Sequence, residues 1–79
     1  MNNKKYFTHD LGLACALLTV GYELIGLERS NPKRVGFIFK RESGVERTID
    51  DYFSGSLALP ALTLLTNQKN LKNRIYSDN

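Results

Sequence analysis

The stretch LGLACALLTV, from Leu11 to Val20, is apolar or small at every position and ends at Gly21. It is about half the roughly 20 residues that a membrane span needs. A helix apolar all round is therefore expected at the centre of a core, and the rest of the chain has to fold around it. Thr8 suits its N-cap and Asp10 its first turn, where the helix dipole favours an anion. Gly21 suits a left-handed stop. At 100° per residue Leu11, Leu13, Ala14, Leu17 and Leu18 sweep a broad arc, and Gly12, Cys15, Ala16 and Thr19 cluster on the other side. That smooth side is expected to accept a closely approaching strand, helix or partner.

The flanking segments supply the other elements. Lys5 to Thr8 reads as a short strand. YELIGLERSNPKRVGFIFK reads as a hairpin, with two β-rich runs flanking a Ser30-Asn31-Pro32-Lys33 turn. Two registers are open. An even-length loop pairs Arg29 with Arg34, Ile25 with Ile38 and Gly26 with Phe37, so that a ring lies over a glycine. In that register Leu24, Val35, Phe37 and Phe39 share a face. An odd-length loop instead gathers Ile25, Leu27, Val35, Phe37 and Phe39. Either way both faces of the hairpin carry apolar groups, and both are expected to be covered, one by helices and the other by a partner.

Ser43 to Glu46 has the spacing of a capping box, and Val45, Ile49, Tyr52 and Phe53 follow at helical intervals up to a stop at Gly55. Glu46, Arg47, Asp50 and Asp51 form the wet face, with Arg47 and Asp51 spaced to pair. SLAL reads as a brief strand, and Pro60 suits the first turn of a third helix. Ala61, Leu64, Leu65, Gln68, Leu71 and Ile75 trace its inner stripe, with a break expected at the Asn-rich TNQKN. The order β-α-β-β-α-(β)-α predicts a single small α+β domain over residues 1–79, an antiparallel hairpin packed against helices. Residues 1–4 and 77–79 are expected to fray.

Several classes of chemistry are excluded at this level. One cysteine and one histidine in 79 residues permit neither an internal disulfide nor a tetrahedral zinc site of soft ligands. No metal and no cofactor is expected. MNNKK before the apolar run resembles the start of a signal peptide, but His9 and Asp10 precede that run and no small-x-small site follows it. A cytoplasmic protein is the expectation, with no membrane association. A chain of this length buries a smaller fraction of its surface than larger domains do, which makes a partner subunit or ligand a natural source of stability.

Taken in order, YFTHDLGLACALLTVGYELIGLERS, RVGFIF, DYFSG and LKNRIYS resemble a family of small uncharacterised domains of microbial and phage-related genomes, catalogued as a domain of unknown function. The resemblance covers nearly the whole chain. It implies a small intracellular domain with no established enzyme activity and no agreed binding site. Cys15 stands where the family usually has alanine, which argues against a required thiol.

His9, Asp10 and Cys15 do not make a catalytic set, because on a helix Cys15 lies about 9 Å along the axis from His9. Cys15 reads as a buried packing residue and His9 as an exposed first-turn residue. Asp50 and Asp51 are neighbours that point apart, and no glycine-rich phosphate cradle is present. Enzyme activity is therefore not expected.

The formal net charge of +3 is compatible with nucleic-acid contact. YFTHDL and KRVGFIF resemble, distantly, the aromatic-bearing strands of RNA-recognition motifs, with Phe7, Phe37 and Phe39 as stacking candidates. The blander reading puts these rings in the core. The functional expectation is a non-enzymatic binding module for DNA or RNA, or for a nucleoprotein complex, with Arg29, Lys33, Arg34, Lys40, Arg41, Lys69 and Lys72 as contact residues. The alternative is a protein-interaction module, either a homodimer or a small inhibitor or adaptor docking on a larger protein.

Overall fold

The structure, a computed structural model, describes residues 4–31 and 33–77. Its elements are β1 (Lys5–Thr8), α1 (Leu11–Val20), β2 (Leu24–Glu28), β3 (Gly36–Lys40), α2 (Val45–Ser54) and α3 (Ala61–Ser77). The chain is thus an α+β domain of order β-α-β-β-α-α. The three strands form one antiparallel sheet of order β1-β3-β2. β1 and β2 both run against β3, so they are parallel to each other, and α1 connects them in a split β-α-β arrangement.

The caps of α1 differ from the sequence expectation. Asp10, not Thr8, is the N-cap, and its Oδ1 accepts from the Leu13 N–H at 3.0 Å. Thr8 acts one step earlier, its Oγ1 accepting from the Asp10 N–H. The carboxylate thus answers an orphan donor and the helix dipole together. His9 accordingly precedes the helix and is half-buried. Gly21 ends α1 at φ +123°, outside the left-handed helical region, with its N–H donated to the Leu17 carbonyl.

Leu13, Ala14, Cys15, Ala16 and Leu17 are all buried, as expected of a helix surrounded on every side. Phe37 and Phe39 of β3 pack on its large arc with Val45 and Leu71, and Tyr6, Leu24 and Leu27 lean against the same cluster. On its smooth side the Tyr52 hydroxyl lies against Gly12, and α3 runs along the rest. Thr19 Oγ1 donates to the Cys15 carbonyl and accepts from Asn67 Nδ2 of α3 at 3.0 Å, linking the two helices.

The hairpin uses both registers. Glu28 opposes Gly36 and Leu27 opposes Phe37, so the loop is odd-length, but an irregularity between Leu24 and Gly26 shifts the ladder until Leu24 opposes Phe39. The bulge ejects Ile25, which is 46% exposed, and lets Leu24 and Leu27 both face inward. The ring that covers a glycine is Phe7 over Gly36, not Phe37 over Gly26.

Other expectations are corrected at the chain's second half. Gly44 is the N-cap of α2 in the left-handed region, with no side-chain cap bond, so the Ser43–Glu46 capping box does not form. Gly55 does stop the helix, and Arg47 and Asp51 do pair, at 3.8 Å. Phe53 leaves the inner stripe and is 63% exposed. SLAL is irregular rather than a strand. Pro60 precedes α3, its carbonyl accepting from the Leu64 N–H, and the helix continues unbroken through TNQKN because Leu71 is buried and Asn67 is tied to Thr19. On α3 Ala61 and Leu65 are exposed while Leu64, Asn67, Gln68 and Ile75 are half-buried. Lys4 is held by its carbonyl, which accepts from the Arg41 N–H, and Ser77 closes α3. Residues 1–3, Pro32 of the turn and 78–79, part of the expected frayed ends, lie outside the described residues.

The Gly12 contact is testable. A Cβ there collides with the Tyr52 hydroxyl and presses on Asp10 Oδ1 at 3.3 Å, whereas the next ring atom lies at an ordinary 3.6 Å. Gly12→Ala is expected to destabilise the wild-type background despite alanine's helix preference of about 1 kcal/mol. In a Tyr52→Phe background the same change should cost clearly less, as read by urea unfolding of the double-mutant cycle.

Candidate functional sites on the sheet face and the α1–α3 groove

Each strand residue whose neighbour points to the core must itself point away. With Tyr6, Phe37 and Phe39 inward, Lys5, Phe7, Ile38 and Lys40 share the outer face. The register places Lys5 directly opposite Lys40 and Phe7 opposite Ile38. Phe7 is 45% exposed and meets the His9 ring edge-on at 4.8 Å. His9 Nδ1 donates to the Val35 carbonyl at 3.3 Å. Glu28 is the acid on this face, turned onto the Ser30 hydroxyl and N–H. The buried Phe37 and Phe39 are not available for stacking. Their side chains fill the space under the sheet, and Phe7 alone of the three candidates faces solvent.

The structure disperses the seven basic candidates. Lys33 and Arg34 are exposed at the hairpin tip, and Lys40 is exposed on the outer sheet face. Arg29 instead reaches α3, where its Nη2 donates to the carbonyls of Arg74 and Ile75 at 3.1 Å each. It answers the orphan carbonyls of a helix C-terminus and ties the start of the hairpin loop to α3. Arg41 pairs with Glu46 and lies 5.6 Å over the Tyr6 ring. Lys69 and Lys72 are exposed on α3, on the helical side of the molecule. Lys5 joins Lys40 although the sequence reading did not single it out; strand alternation with Phe7 was the available signal.

The second concave feature is a groove of about 500 Å³ between α1 and α3, lined among others by Cys15, Ala16, Leu57, Leu59, Leu64 and Leu65. Gly12, Cys15 and Ala16 form its floor, and the irregular segment after α2 forms one wall. Burial pushes the Cys15 thiol above its ordinary value of 9.0, while the positive charge of Lys72 opposes the shift. The Tyr52 phenol is also raised, first by burial and then by Asp10 and Cys15. His9, Asp10 and Cys15 have three separate roles: a carbonyl contact, a helix cap and a groove floor. Among the described residues no cluster of three metal-ligating side chains occurs, and no helix is long and apolar enough to cross a membrane.

Two measurements check this geometry. Arg29→Ala removes two charge-assisted hydrogen bonds at a partly exposed helix end and is expected to cost about 1–2 kcal/mol. Faster amide exchange in the last turn of α3 should accompany it. The folded Cys15 holds its proton more tightly than the unfolded one, so its contribution to stability is complete below about pH 9 and falls as pH rises through the folded value. Cys15→Ala should flatten that alkaline decline in thermal melts, leaving the Tyr52 part.

A comparison with curated proteins and one with solved structures each gave no match. The family comparison did: residues 3–77 match the model described as a domain of unknown function, DUF5659. That match spans every residue of the elements above, and the chain belongs to the DUF5659 family.

Proposed function

We propose that this protein is a non-enzymatic module that binds single-stranded nucleic acid, alone or within a nucleoprotein complex, across its outer sheet face and hairpin tip. The observation that carries this reading is the placement of Lys5 directly opposite Lys40 beside the exposed ring of Phe7. Like charges facing each other across strands are destabilising, and an anion between them relieves the cost. A base stacks on the open part of the Phe7 ring while phosphates meet Lys5 and Lys40, and the strand continues toward Lys33 and Arg34. Arg29 and Arg41 support the surface by holding the hairpin and β1 in place. Lys69 and Lys72 face away from it. The reading implies a cytoplasmic protein, and a microbial or phage-related setting suits it.

Titration of a labelled oligothymidine tests it. Affinity is expected to fall with salt, with a log–log slope of about −0.7 per phosphate contacted, and Lys5→Ala with Lys40→Ala should flatten that slope by about 1.4. Phe7→Ala should cost about 1–3 kcal/mol of binding. Absence of binding at low salt overturns the reading. The interaction-module alternative then stands, with sedimentation and protein pull-down as its checks.

A further inference from the structure

The groove between α1 and α3 has no part in the nucleic-acid reading and poses its own question. The small residues Gly12, Cys15 and Ala16 floor a half-open apolar hollow of about 500 Å³. Unfilled apolar space forfeits packing energy. The volume lies in the range of small-molecule sites, about 300–1,000 Å³, which are apolar with a few polar groups at one end.

Charge identifies which end. Along α3, Lys69 lies four residues beyond Leu65, and Lys72 lies four beyond Gln68 and seven beyond Leu65. Both lysines therefore continue the stripe that lines the groove. Lys72 is near enough to the groove floor for its charge to act on the Cys15 thiol. Among the described residues neither lysine has a carboxylate partner, in contrast to Arg41 and Arg47, and α3 itself contains no acid. The Gly12 part of the floor meets the Tyr52 hydroxyl, with the Asp10 carboxylate beside it and already engaged as the cap of α1. The unpartnered lysines therefore attract a negative head group.

We propose that this groove binds a single-chain amphipathic carboxylate, its hydrocarbon tail between α1, Leu57, Leu59 and Leu65 and its carboxylate at Lys72 and Lys69. A second copy of the chain fits less well, because it would bring a second positively charged surface to the same lysines.

The full chain is titrated with dodecanoate and dodecyltrimethylammonium below their micelle concentrations and with dodecanol below its solubility limit, and followed by amide NMR and sedimentation. The expected result is saturable one-to-one binding of dodecanoate to a monomer, with shifts at Ala16, Leu57 and Leu65 and about tenfold or greater preference over the cation. Lys69→Glu with Lys72→Glu alters only exposed side chains, so the fold should persist while the preference reverses. Ala61→Trp, at the exposed rim, should block all three probes. Equal affinity for the three head groups, shifts centred elsewhere, or a preference unchanged by the charge reversal overturns the proposal. So does a ligand-free dimer whose interface covers Leu57 and Leu65. Lys5→Ala with Lys40→Ala should leave dodecanoate binding unchanged, which separates this site from the sheet face.

Discussion

The structure depends on one helix being enclosed on all sides. Five consecutive residues of α1, Leu13 to Leu17, are buried, which a helix lying on a surface cannot achieve because its outward third stays wet. Enclosure demands a sheet on one side and another helix on the other. The two sides of α1 then set how closely each can come. Its large arc keeps β3 at the distance that Phe37 and Phe39 fill, while its small side admits the Tyr52 hydroxyl and α3. Truncating either buried phenylalanine would forfeit about 3–5 kcal/mol, a large share of what so small a domain holds.

The remaining polar contacts serve that enclosure at its edges. Asp10 closes the first turn of α1, Thr19 and Asn67 fix α1 against α3, and Arg29 ties the hairpin to the last carbonyls of α3. None of these is a large term alone. Together they set the position of α3, and with it the mouth of the groove. The bulge at Ile25 does comparable work in the sheet: two leucines three apart both reach the core, and the outer face is left to Phe7, Ile38, the two lysines and Glu28.

With every helix on one side of a three-stranded sheet, the domain presents two unlike surfaces. The sheet side is cationic and carries one accessible ring; the helical side is apolar between α1 and α3 and turns basic toward the end of α3. Basic residues that look like one cluster along the chain are divided between these surfaces, and two of them are occupied in holding the fold. The division follows from strand and helix periodicity, since neighbours in sequence project in different directions.

The sequence by itself determined the kind and order of the six elements that form, though it also read SLAL as a strand. An apolar run too short for a membrane, a turn with proline, and glycines after two helical patterns are local signals, and local signals decide local structure. The same run also announced a smooth side on the first helix, though not what would meet it. Only the tertiary structure decided that Asp10 rather than Thr8 caps α1, that the hairpin changes register at Ile25, and that SLAL stays irregular while TNQKN stays helical. Each is a choice between near-equal local options, settled by whether leucines and phenylalanines distant in the chain reach the core. The candidate sites are less legible still. The facing lysines depend on the pairing of β1 with β3, and the groove depends on how α3 crosses α1, neither of which any stretch of neighbouring residues encodes.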